Sequence, residues 1–590
     1  MERNDDLVKR KIYQYMLTGV MTTVALQLGN VVDAMIVGNL IGSIGNSAVS
    51  ASTPYLYVLQ AAAILLGSGG AVTMAVLLGR RDTDNAARVM GFCMAGSLVY
   101  PIIFTFISPF LIPSFIGLTG ASGELADMIG SITTVYSYGM PVISFVLVMA
   151  YLINIDNHAA MSARMHITSN AVNLVFDYIL VRFTPLGITG AALSTVLGYI
   201  VSGLIFLPMY YKSKNRMVRP KLSGLIAHKD LIGLTCKNGF PNLAYLIMTV
   251  LSVGIINSSV LRTLGGGYFS AYAVANNTQL IVQMFLNGIS SVIAAVAGVL
   301  FGEKDYYGMR SVLSRVLKIA LLTGAVIMVV FIAVPGALAA MYGFDNEAVR
   351  PDLLTGLRIF SLSFGFFILN AVSQNYYRTT GQTFLSTASS TMQLLIFKVP
   401  LMLVFMKVFG FLGLFAAIIA SELLSFAVLN LIRLIMQKMG KVPQKGFMAI
   451  PDHNSSEICS LTIRGSDETA VKVSQKVIDR CIEENIPSDK AQSLGIATEE
   501  IISNIGRYGY PDSDNKTIDV CLSENKGKYY LRFRDDGIPF NPVEYVPKEH
   551  EEYDIRGLEL IRKLAVKMTY VRAISLNNTV IELDLCMEDE

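Results

Sequence analysis

Two similar stretches decide the fold of this 590-residue sequence: VLLGRRDTDNAARV at residues 76–89 and VLFGEKDYYGMRSV at residues 299–312. Each has an apolar run, a glycine, a short charged turn and then the start of a second apolar run. The two glycines, Gly79 and Gly302, are 223 residues apart. A similarity at a fixed offset is the sign of an internal duplication.

A second pair of stretches repeats the same offset. PLGITGAALST at residues 185–195 is similar to VFGFLGLFAAI at residues 408–418, again with a shift of 223 residues. We therefore predict two related units, an N-terminal repeat at residues 1–222 and a C-terminal repeat at residues 223–445.

Apolar runs of about 20 residues recur through both units, and each is long enough to cross a bilayer as a helix. The whole chain is 53% hydrophobic and 15% charged. Each repeat is predicted to contain six helices. A chain that crosses the membrane an even number of times returns to the side where it began, so the two repeats have the same orientation, as in many secondary transporters. We predict about twelve spans, near 15–39, 48–78, 89–112, 129–155, 165–182, 188–211, 238–262, 270–301, 315–342, 356–377, 384–408 and 412–436.

Charge separates the chain into two regions and orients the first. Residues 1–445 hold 30 Lys and Arg against 17 Asp and Glu, whereas residues 446–590 hold 17 against 27. Alternate loops of the first region carry the basic clusters, which predicts a multi-pass protein of the cell membrane with both termini in the cytoplasm. The acidic tail gives no sign of nucleic-acid binding. Six scattered cysteines and five histidines show no zinc or disulfide spacing.

Polar groups interrupt the predicted spans of the first repeat. Asp33 lies midway along the first span, and Asn173 and Asp177 lie one helical turn apart on the fifth. A charge at the bilayer centre costs on the order of 3 kcal/mol, so these groups are expected to face a polar cavity or each other. Two carboxylates in one cavity favour a bound proton or cation. Asp177 alone could instead be an end-of-helix residue near the membrane surface.

The second repeat lacks these groups. At the offset of 223 their counterparts are Ile256, Ile396 and Pro400. The last two spans instead carry Lys398 and Glu422, which we interpret as an ion pair in the cavity or as a structural pair between two helices.

Several stretches in order resemble the multidrug and toxic compound extrusion (MATE) family across residues 10–440. They are VVDAMIVGNLIG at 31–42, LLGSGGAVTMAVLLGRRD at 65–82 and NAVNLVFDYILVRFTPLGITGAALSTVLGYI at 170–200. The resemblance implies an all-α polytopic membrane protein of twelve helices, an antiporter that exports organic, often cationic compounds in exchange for H⁺ or Na⁺. It also implies that Asp33, Asn173, Asp177 and, on the sixth helix, Thr195 bind the coupling ion. A receptor or structural protein with duplicated helices is the alternative.

The sequence of the tail predicts a separate soluble domain. After a polar linker at residues 446–455, residues 456–590 alternate strand-like and amphipathic helical segments. Glu500 and Asn504 lie one turn apart on the second helix, RDDGIPFNP follows a strand, and a glycine begins a later helix in YDIRGLELIRKL.

This order of motifs resembles the GHKL (Bergerat-fold, histidine kinase-like) ATPases, most closely the anti-sigma-factor-like serine kinases. The resemblance implies an α/β-sandwich domain that binds ATP with Mg²⁺. Asn504 would hold Mg²⁺, Glu500 would be the catalytic residue, Asp535 would bind the adenine amino group, and Gly537 and Gly557 would leave room for the base and the phosphates. Two positions depart from the family pattern, since Pro539 and Glu559 stand where glycines are usual.

No P-loop motif G-x-x-x-x-G-K-[ST] occurs, so a P-loop motor does not drive transport. Three functions remain open. The chain is an ion-coupled exporter with a regulatory ATP-binding tail, a signalling kinase with a cytoplasmic protein partner anchored to a transporter-like sensor, or a flippase for lipid or glycan precursors. The sequence leaves the substrate and the choice between H⁺ and Na⁺ open.

Overall fold

The computed structural model describes most of the chain in two parts, a helical bundle and a small α/β domain. The described residues are 4–79, 82–156, 158–213, 216, 218–221, 229–303, 305–440, 457–464, 467–510, 517–525, 528–545, 558, 561–563, 565–573 and 576–584. Gly557, Glu559 and the predicted linker at residues 446–455 lie outside them.

The bundle contains fifteen α-helices over the described residues, two of them continued through short π-helical turns. They are α1 (Asp6–Ile41), α2 (Ser43–Gly79), α3 (Thr83–Thr119), α4 (Glu124–Ile155), α5 (Ala159–Phe183), α6 (Ile188–Lys212), α7 (Lys229–Leu264), α8 (Gly266–Val292), α9 (Gly298–Gly302), α10 (Tyr306–Ala333), α11 (Pro335–Met341), α12 (Arg350–Ser361), α13 (Phe364–Thr379), α14 (Thr383–Thr391) and α15 (Lys398–Lys438). The π-turns are Ile293–Ala297 and Met392–Ile396.

Among the described residues, eight helical segments are long and apolar enough to cross a membrane, and a ninth is the bent pair of α12 and α13. One of the eight, Thr383–Lys438, has 56 residues. At 1.5 Å per residue this is about twice the length that a bilayer requires, so it supplies two passes. α1 carries its charges in its first two turns and at Asp33, which lies within the apolar stretch Gln27–Ile41, and the rest of the helix is uncharged. With α1 and the more polar α5, the helices account for the twelve predicted passes.

The two repeats share backbone conformations at equivalent positions. Glycines with positive φ occur in three pairs that are 223 residues apart, namely Gly42 and Gly265, Gly120 and Gly343, and Gly187 and Gly410. Gly410, at φ 63° and ψ −144°, is where α15 turns back. This conformation suits glycine and few other residues, so the duplicated turns are fixed by the glycines.

Serines at equivalent positions also meet each other. The hydroxyl oxygens of Ser47 on α2 and Ser270 on α8 are 2.8 Å apart. Two copies of one position touch only where they lie at the symmetry axis of a duplicated structure. The axis relating the first half (α1–α6) to the second half (α7–α15) therefore passes between these serines.

The two halves are packed closely where glycines face backbone. A Cβ on Gly69 of α2 would lie 2.1 Å from the carbonyl oxygen of Thr235 on α7, and one on Gly239 would lie 2.2 Å from the carbonyl oxygen of Leu65. Both positions exclude any side chain, which lets α2 and α7 approach backbone to backbone.

The tail is a five-stranded antiparallel sheet covered on one face by two helices. Its elements are β1 (Glu457–Arg464), α16 (Asp467–Glu483), α17 (Ser488–Tyr508), β2 (Thr517–Asn525), β3 (Lys528–Asp535), β4 (Lys567–Ala573) and β5 (Leu576–Asp584). The strand order is β1-β2-β3-β5-β4. Its apolar core, which includes Val473, Leu494 and Phe533, contains only tail residues. The predicted α/β-sandwich is confirmed.

Candidate functional site

The carboxyl groups of Asp33 on α1 and Asp177 on α5 lie close enough to interact with each other electrostatically. Asp177 is fully buried. A carboxylate only accepts hydrogen bonds, so two carboxyl groups bond to each other only when one of them carries a proton. The pair is thus a natural place for an exchangeable proton, or for a cation that takes its place.

The other two predicted ion-site residues lie beside this pair. The Asn173 amide donates to the hydroxyls of Ser194 and Thr195 on α6, both at 3.0 Å. Ser194 in turn lies 3.5 Å from Asp177. The structure therefore brings Asp33, Asn173, Asp177 and Thr195 into one polar cluster between α1, α5 and α6.

Two members of the cluster were missed at the level of sequence. Ser194 links the amide of Asn173 to Asp177, and the Tyr136 hydroxyl of α4 donates to Thr195 at 3.1 Å. Ser194 precedes Thr195 and could have been noticed as its neighbour. Nothing in the apolar sequence around Tyr136 distinguishes it from a packing residue.

The second half holds a different polar group. The Glu422 carboxylate on α15 accepts from the Asn370 amide and the Gln393 amide, both at 2.7 Å. Lys398 interacts with Glu422 electrostatically, but no ion pair within 4.0 Å joins them among the described side chains. Glu422 is thus held by two amides, with Lys398 as a more distant countercharge.

A large apolar cavity lies between the two halves, with a volume of about 630 Å³. α2 and α3 of the first half and α7 of the second half line it, and its walls include Tyr55, Phe104, Phe115 and Leu251. None of the described residues that line it is charged. A cavity of this size and character fits a drug-sized apolar molecule.

The predicted adenine site in the tail is a pocket between α17 and the ends of β3 and β5. Asp535 lies in its wall, and one carboxylate oxygen accepts from the Gly537 backbone N–H at 2.9 Å and the Asn577 amide at 2.8 Å. Asn577 is a further site residue that sequence reasoning missed. Ile501, Ile538 and Phe540 supply apolar walls for a flat base.

Gly537 is required by a close backbone approach. A Cβ at this position would lie 2.4 Å from the carbonyl oxygen of Gly509, just after α17. The Ile538 N–H donates to the same oxygen at 2.8 Å. The turn after β3 is thus fixed to the end of the helix that carries Glu500 and Asn504.

Glu500 and Asn504 face each other on α17, and the Asn504 amide donates to the Glu500 carboxylate at 2.9 Å. Asn504 also lines the pocket. Their oxygen atoms are the type of ligand that Mg²⁺ prefers, with phosphate oxygens completing the shell. Asp535, Glu500 and Asn504 therefore fit a Mg²⁺–nucleotide, whereas the predicted role of Gly557 falls outside the described residues.

Burial raises the pKa of Asp535 to about 6, although the hydrogen bonds from Asn577 and Gly537 act in the opposite direction. Asp535 is therefore largely ionised at neutral pH and ready to accept from an amino group. It becomes protonated under mildly acidic conditions.

The family comparisons match both parts of the chain. Residues 20–179 and 243–404 match the model of the MatE family, and residues 466–583 match that of the histidine kinase-like ATPase domain. Each of the two MatE segments lies within one of the predicted repeats.

Curated relatives and solved structures are also similar to this chain. Multidrug export protein MepA of Staphylococcus saprophyticus is 23% identical over 410 residues, which cover 68% of this chain and 88% of MepA. The probable multidrug resistance protein YoeA of Bacillus subtilis is 20% identical over 58% of this chain and 75% of its own.

Among solved structures, the inward-facing conformation of a multidrug resistance MATE family transporter has a TM-score of 0.65 at 18% identity. That alignment covers 72% of this chain and 99% of the other. The MATE multidrug transporter DinF-BH has a TM-score of 0.58 at 20% identity, over 72% and 96% of the two chains. More than half of this chain matches the MatE model, so the protein is a multi-pass membrane protein that belongs to the MatE family and carries a histidine kinase-like ATPase domain.

Proposed function

We propose that this protein is an ion-coupled antiporter that exports organic compounds across the cell membrane. The observation that carries the proposal is that Asp33 and Asp177 lie side by side inside the first half, in one cluster with Asn173, Ser194 and Thr195. A transporter that exchanges a substrate for H⁺ or Na⁺ needs a group that binds the ion in one state and releases it in another. Two carboxyl groups that share a proton supply such a group.

The apolar cavity between the halves supports an organic substrate. It joins α2 and α3 to α7, so a change in the relative position of the halves alters its shape and access. The relatives MepA and YoeA are named for multidrug export and multidrug resistance. We assign this chain the same kind of substrate, an amphipathic and often cationic compound.

The tail is proposed to bind ATP with Mg²⁺ in the cytoplasm. Asp535 would receive the adenine amino group, and Asn504 would hold the metal. Glu500 would be the catalytic residue if the tail phosphorylates a partner in the manner of a serine kinase. The basic loops next to both termini support a cytoplasmic location for the tail.

The test is efflux of a cationic dye from vesicles that contain the purified protein, with a proton or a sodium gradient imposed separately. We expect one gradient to drive dye movement without ATP. Dye movement at the same rate with and without either gradient would contradict ion coupling. Movement of a lipid head group with no dye movement would favour the flippase, and phosphorylation of a partner with no movement of either would favour the anchored kinase.

A further inference from the structure

The face of the tail sheet opposite its helices lies on the bundle, at the end where α1 begins and α10 begins; we call this end the tail side. In β3 alternate residues face opposite sides of the sheet. Phe533 belongs to the tail core and Asp535 to the nucleotide pocket. Arg532 and Arg534 therefore point the other way, toward the bundle.

Arg534 binds the second half of the bundle. Its side chain is 1% exposed and donates to Asp305 at 2.9 Å and to Glu303, in the turn between α9 and α10. Burial alone would lower the pKa of Arg534, but the carboxylates of Asp305, Glu303 and Asp519 outweigh this and raise it. Asn578 on β5 also donates to Glu303, at 2.5 Å.

The duplication shows that this turn is adapted to the tail. Asp82 and Asp305 occupy equivalent positions, and each caps the following helix, Asp82 by accepting from Asn85 N–H and Asp305 from Gly308 N–H. The second oxygen of Asp82 accepts from the Asn85 side chain, whereas that of Asp305 accepts from Arg534. The capping role is common to both halves, and the contact with the tail is specific to the second.

Asp536 binds the first half. Its carboxylate lies 3.2 Å from Arg10 of α1 and also accepts from the Tyr510 hydroxyl at 2.7 Å. The Asn4 backbone N–H donates to Thr462 on β1 at 3.1 Å, so a second contact joins the start of the chain to the sheet. Three consecutive residues thus contact the second half, the nucleotide pocket and the first half, in the order Arg534, Asp535, Asp536.

We propose that the tail is a nucleotide-controlled clamp across the tail side of the two halves, held by Arg534 on one half and Asp536 on the other, with the nucleotide pocket between them. The inference rests on the proposed binding of ATP by the tail. Rocking transport requires the halves to separate at one end at a time, so opening of the tail side has to strain or break this clamp.

The clamp contacts are suited to opening because they are charged. Charged groups that separate are hydrated again, and this offsets much of the lost attraction. Opening also leaves the tail core intact, since among the described residues that core is formed by the tail alone. The open and closed forms of the clamp are therefore similar in free energy. A ligand that binds one form more tightly than the other then decides how much of each form is present.

ATP is expected to favour the closed clamp. Arg534 and Asp536 fix the backbone on either side of Asp535, so the pocket is best ordered when both are held. ATP binds more tightly to the ordered pocket than to a disordered one. Because coupling between two sites is reciprocal, bound ATP in turn stabilises the contacts of Arg534 and Asp536 that order the pocket.

The experiment uses the full chain in nanodiscs with Mg²⁺–ATP. One readout is ATP affinity. The other is the distance between spin labels at Thr83→Cys and Thr383→Cys, both exposed on the tail side of opposite halves, in a cysteine-free background that binds ATP with wild-type affinity. We expect ATP to shorten the distance between the labels in the otherwise unchanged chain.

Two variants weaken one arm each and leave the pocket residues in place. Asp305→Asn keeps the helix cap but removes one of the two bundle carboxylates that face Arg534, and Arg10→Gln removes the ion pair with Asp536. We expect each to weaken ATP affinity about fivefold and to abolish the ATP-induced shortening. Asp82→Asn, the equivalent cap without a tail contact, and Lys9→Gln, an exposed neighbour of Arg10, are the matched controls and should behave as the wild type.

The outcomes separate the two proposals. If the wild-type chain does not bind ATP, the proposed nucleotide site and the control of the clamp both fail. If ATP binds but neither its affinity nor the label distance differs between Asp305→Asn, Arg10→Gln and their controls, the clamp alone is refuted.

Discussion

The proximity of Asp33 and Asp177 is the residue-scale feature from which the transport proposal starts. Sequence alone identified both carboxylates as unusual in apolar helices. It could not show that they lie side by side, because α1 and α5 are more than 100 residues apart in the chain. Their proximity in the fold turns two isolated observations into one ionisable site.

Asp33→Asn is expected to abolish gradient-driven export while the protein still folds and inserts. The amide has nearly the shape of the carboxyl group but does not exchange a proton or bind a cation strongly. Dye efflux under an imposed gradient measures the loss.

Asn30→Ala is the control, since Asn30 is exposed one turn earlier on α1 and should leave export unchanged. Wild-type export by Asp33→Asn under an intact gradient would exclude Asp33 from the ion site.

The pKa of Asp535 predicts a pH dependence of ATP binding. The ionised carboxylate accepts more strongly from the adenine amino group than the acid does, so affinity should fall as the pH falls through about 6. Fluorescence titration of the full chain with an ATP analogue between pH 5 and pH 8 would measure this.

Tail stability should change in the opposite direction. The pKa of Asp535 is raised on folding, from 3.8 to about 6, so its contribution to stability is fully present below pH 4 and is lost as the pH rises through about 6. For the binding prediction, an ATP affinity that stays constant between pH 5 and pH 8 would show that the Asp535 carboxylate does not accept from the adenine base.

At the scale of elements, duplicated turns and close helix contacts organise the bundle. The 223-residue offset predicted that the halves are related, and the paired positive-φ glycines and the Ser47–Ser270 contact show how. Helix boundaries were less predictable. α3 extends over Thr83–Thr119 where 89–112 was expected, because a polar first turn and a further seven residues after Ile112 continue the helix.

Gly69→Ala is expected to destabilise the bundle by about 1–3 kcal/mol, because its Cβ would lie 2.1 Å from the Thr235 carbonyl oxygen and force α2 and α7 apart. Thermal unfolding of the purified protein in detergent would detect the change as a lower Tm.

Gly233→Ala on α7 is the matched control. Its Cβ would meet no atom within 4 Å, and alanine has the better helix propensity, so this variant should be neutral or slightly more stable. Equal Tm values for the two variants would mean that the close packing of α2 and α7 contributes little.

At the scale of the whole molecule, a transporter bundle and an ATP-binding domain are joined through polar contacts. The tail has its own apolar core, and its sheet is completed by its own strands. The bundle contributes charges to the tail but no part of its core.

The isolated tail, residues 456–590, is therefore expected to fold and to unfold cooperatively, and to bind ATP more weakly than the full chain. Arg534 would keep Asp519, which lies opposite on β2, but lose Glu303 and Asp305. Circular dichroism would test the fold, and ATP titration of the tail and the full chain would test the difference. A tail that is unfolded on its own would contradict the independence of its core.

The sequence by itself determined the two-part organisation, the duplication, the family resemblance and the residues Asp33, Asn173, Asp177, Glu500, Asn504 and Asp535. These depend on local composition, periodicity and spacing, which a chain carries in linear form. Only the tertiary structure decided which of them meet, that Glu422 is held by two amides, and that β3 and the residue after it contact the two halves. Those features depend on contacts between residues far apart in the chain. GRRD and GEKD looked like two copies of one turn, and only the fold showed that Glu303 and Asp305 of the second copy bind Arg534 of the tail.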